Sequence, residues 1–120
     1  MDMTTTGSDA VTEDQISIDY FRKIDVRTAK VTECEKVQKS KHLLRIIVEA
    51  AGEKRQIVSS ISDYYSPEEM IGKTILVVWN LEKATIMGLE SQGMLLAVEK
   101  DDFLSLLTTD REAPSGLRVS

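Results

Sequence analysis

The residues that could do covalent chemistry are few, and their spacing is wrong for it. Gly88-Leu89-Glu90-Ser91-Gln92-Gly93 has two residues between the first glycine and the serine. The strained nucleophile elbow of the G-x-S-x-G hydrolases has one, and 120 residues are too few for that fold. Cys34 and His42 are the only candidate thiol nucleophile and imidazole base, and a lysine-rich stretch separates them. They read as a small buried thiol and an exposed imidazole. One Cys and one His cannot build a structural zinc site, and Asp101-Asp102 reads as a solvated turn. Neither G-x-x-x-x-G-K-S/T nor G-x-G-x-x-G is present, so no phosphate cradle is expected. The expectation is a binding module with no catalytic residue, metal or cofactor, and not an enzyme.

Asn80 to Leu95 is the segment with binding potential. It joins two apolar runs through a loop holding Lys83, Met87, Ser91 and Met94. A Met at a rim offers a flexible apolar surface to a base or ribose. Ser91 can donate to a phosphate, and the Asn80 amide can both donate and accept on a nucleotide edge. The same residues also suit a purely architectural reading, in which Asn80 closes a turn and Met87 and Met94 fill the core. Residue types alone leave both readings open.

Charge is distributed unevenly. The net charge is −5. Residues 1–19 carry five acids and no base, residues 20–60 carry ten Lys/Arg against five acids, and residues 61–120 reverse that ratio. Positive charge therefore gathers in the first half of the folded part, and polyanion binding depends on that local field, not on the global balance. Lysines that merely protect strand edges would give the same composition. No run approaches a membrane span, residues 1–15 lack the pattern of a secretory signal, and the lone Cys34 suits a reducing compartment. A cytoplasmic protein is expected.

The elements that must position these residues can be read from periodicity. Residues 1–15 are polar and are expected to form a disordered leader or linker, leaving 16–120 as one domain. Ile16 to Phe21 reads as an entry turn or short helix whose apolar residues pack on the body. Ile24 to Glu35 reads as a long strand whose apolar phase slips near Arg27–Ala29, as a bend or bulge would make it. His42 to Glu49 and Lys54 to Ser59 read as strands joined by a turn at Ala51-Gly52-Glu53. Ser66-Pro67-Glu68-Glu69 is a capping box with proline at the first helical position, and Gly72 stops that helix within about a turn. Tyr64 and Tyr65 are expected to plug a barrel. Lys73 to Asn80 and Ser91 to Glu99 read as the fourth and fifth strands, followed by a C-terminal extension with an apolar stretch from Phe103 to Leu107. Three strands, a short helix and two strands give the element order of an all-β OB-fold, a five-stranded, partly open barrel.

At this point the residues resemble a family. Asn80 to Ala97, NLEKATIMGLESQGMLLA, resembles the signature of the tRNA-binding domain family, roughly N-L-x-P-x-x-x-x-G-x-x-S-x-G-M-x-L-A. Asp25-Val26-Arg27-Thr28-Ala29-Lys30-Val31 resembles its D-L/I-R-V-G-x-V strand, and Arg55 to Ser59 and Tyr65 to Glu68 also match. Lys83 stands where that family commonly has proline. Members include the C-terminal appendage of bacterial methionyl-tRNA synthetase and stand-alone tRNA-binding proteins. The resemblance implies a homodimer that reads folded tRNA by shape and phosphate contacts. Its RNA-contacting face would hold Arg27, Lys30, Arg55, Gln56, Asn80, Lys83, Met87 and Ser91. Its dimer contacts would come from the entry segment and the C-terminal tail. The parent context implied is a synthetase catalytic body on the same chain; the alternative is a stand-alone tRNA-binding or chaperone-like dimer that binds protein partners.

Overall fold

β-Branched and apolar residues alternate with polar ones along most of the chain, and the computed structural model, which describes residues 14–120, folds them as strands. The leader expected over residues 1–15 falls, for residues 1–13, outside the described residues. Strand β1 runs Val26–Lys36, β2 Leu44–Ala50, β3 Glu53–Ser59, β4 Thr74–Val78 and β7 Met94–Leu95. They form one antiparallel sheet in the order β3-β2-β1-β4-β7. Two hairpins complete the element list: β5 (Ala84–Ile86) with β6 (Leu89–Ser91), and β8 (Ala97–Lys100) with β9 (Phe103–Leu106). Two single-turn helices, α1 (Ile18–Phe21) and α2 (Pro67–Met70), flank β1 and β4 in sequence. This is an OB-like all-β fold.

Strict alternation builds the core. On β2, Leu44, Ile46, Val48 and Ala50 are buried while Arg45, Ile47 and Glu49 face outward. Ala29, Val31, Ile57, Ile75 and Val77 meet them from the neighbouring strands. The expected bend in β1 is present, but it lies further along, where the register against β2 shifts between Val31 and Glu33. Ala51 and Gly52, with φ of 52° and 88°, make the two-residue turn joining β2 to β3; positive φ at both positions is what the right-handed strand twist selects.

Helix α2 is capped as its sequence demands. The Ser66 hydroxyl accepts from the Glu69 N–H and the Glu69 carboxylate accepts from the Ser66 N–H. Met70 is fully buried beneath it. Of the two tyrosines expected to plug the barrel, only Tyr65 packs against the core, and its hydroxyl accepts from the Leu106 N–H at 3.1 Å; Tyr64 is exposed.

Three expectations need correction. The fifth strand is broken: Met94–Leu95 pairs with β4, while Ala97–Lys100 turns away to pair with β9. The apolar stretch after Asp102 is that hairpin partner, not a loose tail. Helix α1 forms, but it buries none of its residues; Ile18 and Tyr20 remain 60% and 58% exposed, so they do not pack on the barrel. The C-terminal residues are also part of the sheet. β1 pairs with β2 only from Lys30 onward, and the bare edge ahead of that is filled by the chain end. Gly116 N–H donates to the Thr28 carbonyl at 2.7 Å, Thr28 N–H to that of Leu117 at 2.9 Å, and Val119 N–H to that of Val26 at 2.8 Å.

The barrel closes where Gly93 passes beneath β4. A Cβ built there would lie 2.9 Å from the Val78 carbonyl and 3.1 Å from the Ile57 side chain. Backbone on one side and core on the other leave nothing free to move. Gly93→Ala is therefore expected to cost about 2–3 kcal/mol, within the range for overpacking, and to lower the melting temperature by on the order of 10 °C; a thermal melt within a degree or two of the unsubstituted protein would refute this account of the closure.

Candidate functional site

One end of the barrel gathers charge around an indole. Ile75, Val77 and Trp79 lie on the core-facing side of β4 and its continuation, and all are buried. Across the ladders, Arg27 lies opposite Val77 and Arg55 opposite Val48. The two arginines thus occupy core-facing positions at the mouth of the barrel and fold over Trp79. The guanidinium carbon of Arg55 lies 4.1 Å from the ring centroid and that of Arg27 5.6 Å, within cation–π range. Arg55 Nη1 donates to the Trp79 carbonyl and, at 3.4 Å, to that of Gln92.

Each arginine carries its own carboxylate two residues earlier on the same face of its strand. Asp25 takes Arg27 through both Nε and Nη2, at 2.9–3.2 Å. Glu53 Oε2 takes Arg55 Nε at 2.8 Å. The Asp25 hydrogen bond raises the Arg27 pKa further above its ordinary value. The Arg55 hydrogen bond, aided by its charge and by the Trp79 side chain, holds the Glu53 carboxyl below the usual carboxylate range. Arg118 of the C-terminal segment also approaches Asp25, at 3.8 Å. These guanidinium groups are held in fixed orientations with part of their donor capacity already used.

A cleft of about 490 Å³ opens beside this cluster, lined by Glu53, Arg55, Trp79, Asn80, Leu81, Glu82, Lys83 and Gln92. Lys83 reaches Glu90 at 3.7 Å across the β5–β6 hairpin, with both side chains largely in solvent. At the hairpin tip, Met87 and Gly88 have φ of 50° and 80°, again the two-residue turn with both angles positive. Met87 is 60% exposed there and Met94 48%, so neither fills the core.

The other four expected site residues are held differently, although Asn80 also lines the cleft. The Asn80 amide is committed to backbone: Oδ1 accepts from the Asp25 N–H at 2.9 Å and Nδ2 donates to the Lys23 carbonyl at 2.7 Å. It clamps the entry turn to the end of β4, as the architectural reading has it. Ser91 is buried, accepting from the Val58 N–H at 3.0 Å and donating to the Gly93 carbonyl at 3.1 Å; it has no route to a phosphate. Gln56 donates through Nε2 to the Glu90 carbonyl at 2.9 Å, and its backbone exchanges two bonds with Gln92. Lys30 is exposed, but the β1–β4 register is unbroken from Val26 to Lys30, so three residues of pleat turn it to the face opposite Arg27. Arg27 and Arg55 meet at Trp79, and Arg55 and Lys83 share the cleft; Lys30 does not join them.

Residue-type reasoning missed Trp79, Asp25, Glu53 and Gln92. A signal for two of them was available. Asp25-Val-Arg27 and Glu53-Lys-Arg55 repeat an acid-x-Arg pattern, and strand periodicity puts each pair on one face.

Cys34 and His42 are not a pair. The His42 ring nitrogen Nδ1 lies 2.9 Å from the Asp63 carboxylate. Burial, with Glu68 and Glu35 nearby, pushes the half-buried Cys34 thiol up to about 11, so it holds almost no thiolate at neutral pH. Among the described residues, no group of three or more His, Cys, Asp or Glu gathers to hold a metal, and no helix is long and apolar enough to cross a membrane.

An OB-like barrel with an arginine-and-indole cluster beside an exposed hairpin defines a binding domain. Residues 26–118 match the family described as "Putative tRNA binding domain", and the chain belongs to that family. It is similar to methionine–tRNA ligase of Thermotoga maritima, 54% identical over 108 residues, which are 90% of this chain and 17% of the ligase. The chain thus spans about a sixth of that relative. A crystal structure of a MetRS-related protein from Pyrococcus horikoshii superposes with a TM-score of 0.83 at 36% identity, covering 89% of this chain and 99% of that one. The chaperone CsaA of Bacillus anthracis superposes with a TM-score of 0.78 at 25% identity, covering 88% and 99%.

The signature serine of this family is, in this chain, a closure device. Ser91→Ala is expected to strand the buried Val58 N–H and to cost about 1–3 kcal/mol, read as a lower urea midpoint at unchanged m-value. A variant as stable as the unsubstituted chain would show that water or a shifted backbone group satisfies Val58 equally well.

Proposed function

We propose that this chain is a non-catalytic module that binds folded tRNA at the Trp79 end of its barrel. The observation that carries the reading is the gathering of Arg27 and Arg55 at Trp79, with Arg55 and Lys83 lining one cleft, in a chain whose family is tRNA-binding. Lys83 supplies a charge for phosphate at the rim, the two arginines supply fixed cationic surface, and Met87 supplies apolar surface. Folded RNA is recognised by this mixture of phosphate, ribose and shape contacts. Set in a longer ligase, the module raises the local concentration of tRNA near the catalytic body, and the small share of the ligase it matches supports that appendage role. A stand-alone role is favoured by the relatives matched over 99% of their own length. Both roles are cytoplasmic.

The proposal includes a homodimer. Ile18, Phe21, Ile24 and Val119 line a groove of about 330 Å³ between the entry helix and the chain end, and Ile16 and Tyr20 are also exposed. A contiguous apolar patch of this kind marks an interaction surface, and a second copy covers it with like residues about a two-fold axis.

Two measurements check this. Lys83→Ala is expected to weaken tRNA binding several-fold and to reduce the log–log salt slope by about 0.7–0.9, the loss of one phosphate contact. Binding to unfolded RNA of equal length should be weaker at every salt concentration. Salt-insensitive binding, or equal affinity for both RNAs, would instead favour a protein-binding role. For the dimer, light scattering of the intact chain should give twice the chain mass, and Ile18→Glu with Phe21→Glu should give the monomer; an unsubstituted monomer at micromolar concentration refutes the interface.

A further inference from the structure

The cleft beside Trp79 is poorly built for phosphate. Two of its lining groups are cations, Arg55 and Lys83, and two are carboxylates, Glu53 and Glu82. Their charges cancel, and Glu53 is held in its anionic form by Arg55. A phosphate entering this space would meet two like charges at close range. Part of the Arg55 fork, the group best suited to grip a phosphate in two places, is already engaged: Nε on Glu53 and Nη1 on the carbonyls of Trp79 and Gln92. These bonds also fix where the planar group sits. The guanidinium carbon lies 4.1 Å from the indole centroid, and the bonds on Nε and Nη1 hold this planar group at the wall of the cleft. Glu53, with its side chain 54% exposed, keeps free lone pairs at the edge of that group.

A planar platform edged by a hydrogen-bond acceptor has a specific complement. Unpaired bases stack on guanidinium planes in RNA recognition, and a carboxylate is the usual acceptor for ribose hydroxyls in nucleotide sites. The volume of about 490 Å³ falls within the range of small-molecule pockets.

We propose that this cleft receives one unpaired ribonucleoside, its base stacked on Arg55 and its 2′-hydroxyl donating to Glu53, while phosphates stay outside at Lys83. The inference rests on the RNA-binding reading above and refines it: recognition needs an extruded nucleotide as well as a folded outline. Glu53 is then a specificity residue that separates RNA from DNA.

The sign of one substitution tests this. If Glu53 faces a ribose hydroxyl, Glu53→Gln weakens tRNA binding, by about tenfold for a lost hydrogen bond to a charged group, and leaves the salt slope unchanged. If Glu53 merely sits near phosphates, the same change removes repulsion, tightens binding and steepens the slope; tightening or no change overturns the inference and leaves the RNA-binding reading intact. A second measurement needs no variant. Trp79 is the single tryptophan of the chain, so its indole N–H resonance reports on the cleft alone. Adenosine is expected to shift it, 2′-deoxyadenosine to shift it several-fold less at equal concentration, and inorganic phosphate at matched ionic strength to leave it in place. A response to phosphate, or equal responses to the two nucleosides, overturns the assignment. A response to adenosine in a chain that fails to bind tRNA would sink the RNA-binding reading while sparing the nucleoside cleft.

Discussion

The fold depends on a seam that no backbone ladder closes. β3 is the edge of the sheet, and its exposed donors would be an invitation to aggregate. Side chains from the segment after β5 satisfy them instead. The Gln92 side-chain oxygen accepts from the Gln56 N–H at 2.8 Å while Gln92 N–H donates to the Gln56 carbonyl at 2.7 Å, and the Ser91 hydroxyl accepts from the Val58 N–H. Gly93 then lets the chain pass against Val78. These few bonds do the work of a strand pairing in two residues of sequence. They also hold the β5–β6 hairpin upright beside the barrel mouth, which fixes Lys83 and Met87 relative to the arginines.

The electrostatics follow from the same economy of space. An acidic molecule is not excluded from a polyanion, because carboxylates can serve as positioning groups. Asp25 sits at the meeting point of β1, the turn before it, the end of β4 and the C-terminal segment, taking Arg27, approached by Arg118, and clamped through its own N–H by Asn80. Removing its charge would free Arg27 and weaken the hold on Arg118, while the backbone bonds to the end of β4 would remain. Charge in the site is thus ordered rather than abundant, and ordered guanidinium groups lose less conformational freedom on meeting a ligand than mobile lysines do.

Much of the architecture was legible in the residues. The capping box at Ser66, the Ala51-Gly52 turn and the period-two pattern of β2 are local signals, and local signals determine those elements directly. The break after Leu95 was not legible, because Met94 to Lys100 has an uninterrupted strand-like composition and only pairing partners divide it. Helix α1 forms where expected, but its packing on the barrel was misjudged, because apolar periodicity reports amphipathicity without naming what covers the apolar side. Of the expected site residues, Arg27 and Arg55 meet at Trp79 and Lys83 shares the cleft with Arg55, while Met87 is exposed at the hairpin tip. Asn80 and Ser91 carry the family pattern, and their side-chain hydrogen bonds go to backbone, a role that residue type alone does not reveal. Lys30 was expected on that face from the family resemblance, and a count of pleats from Arg27 puts it on the opposite face.

The placement of residues 114–119 along β1 has a consequence for biosynthesis. Thr28 bonds to Pro114 and Leu117, 86 and 89 positions later. At roughly 5–20 residues per second, the ribosome emits the first strand on the order of ten seconds before the segment that covers its edge. During that interval the nascent barrel carries an open flank flanked by the apolar side of α1. The edge of β1 is therefore completed only after residues 116–119 have left the ribosome.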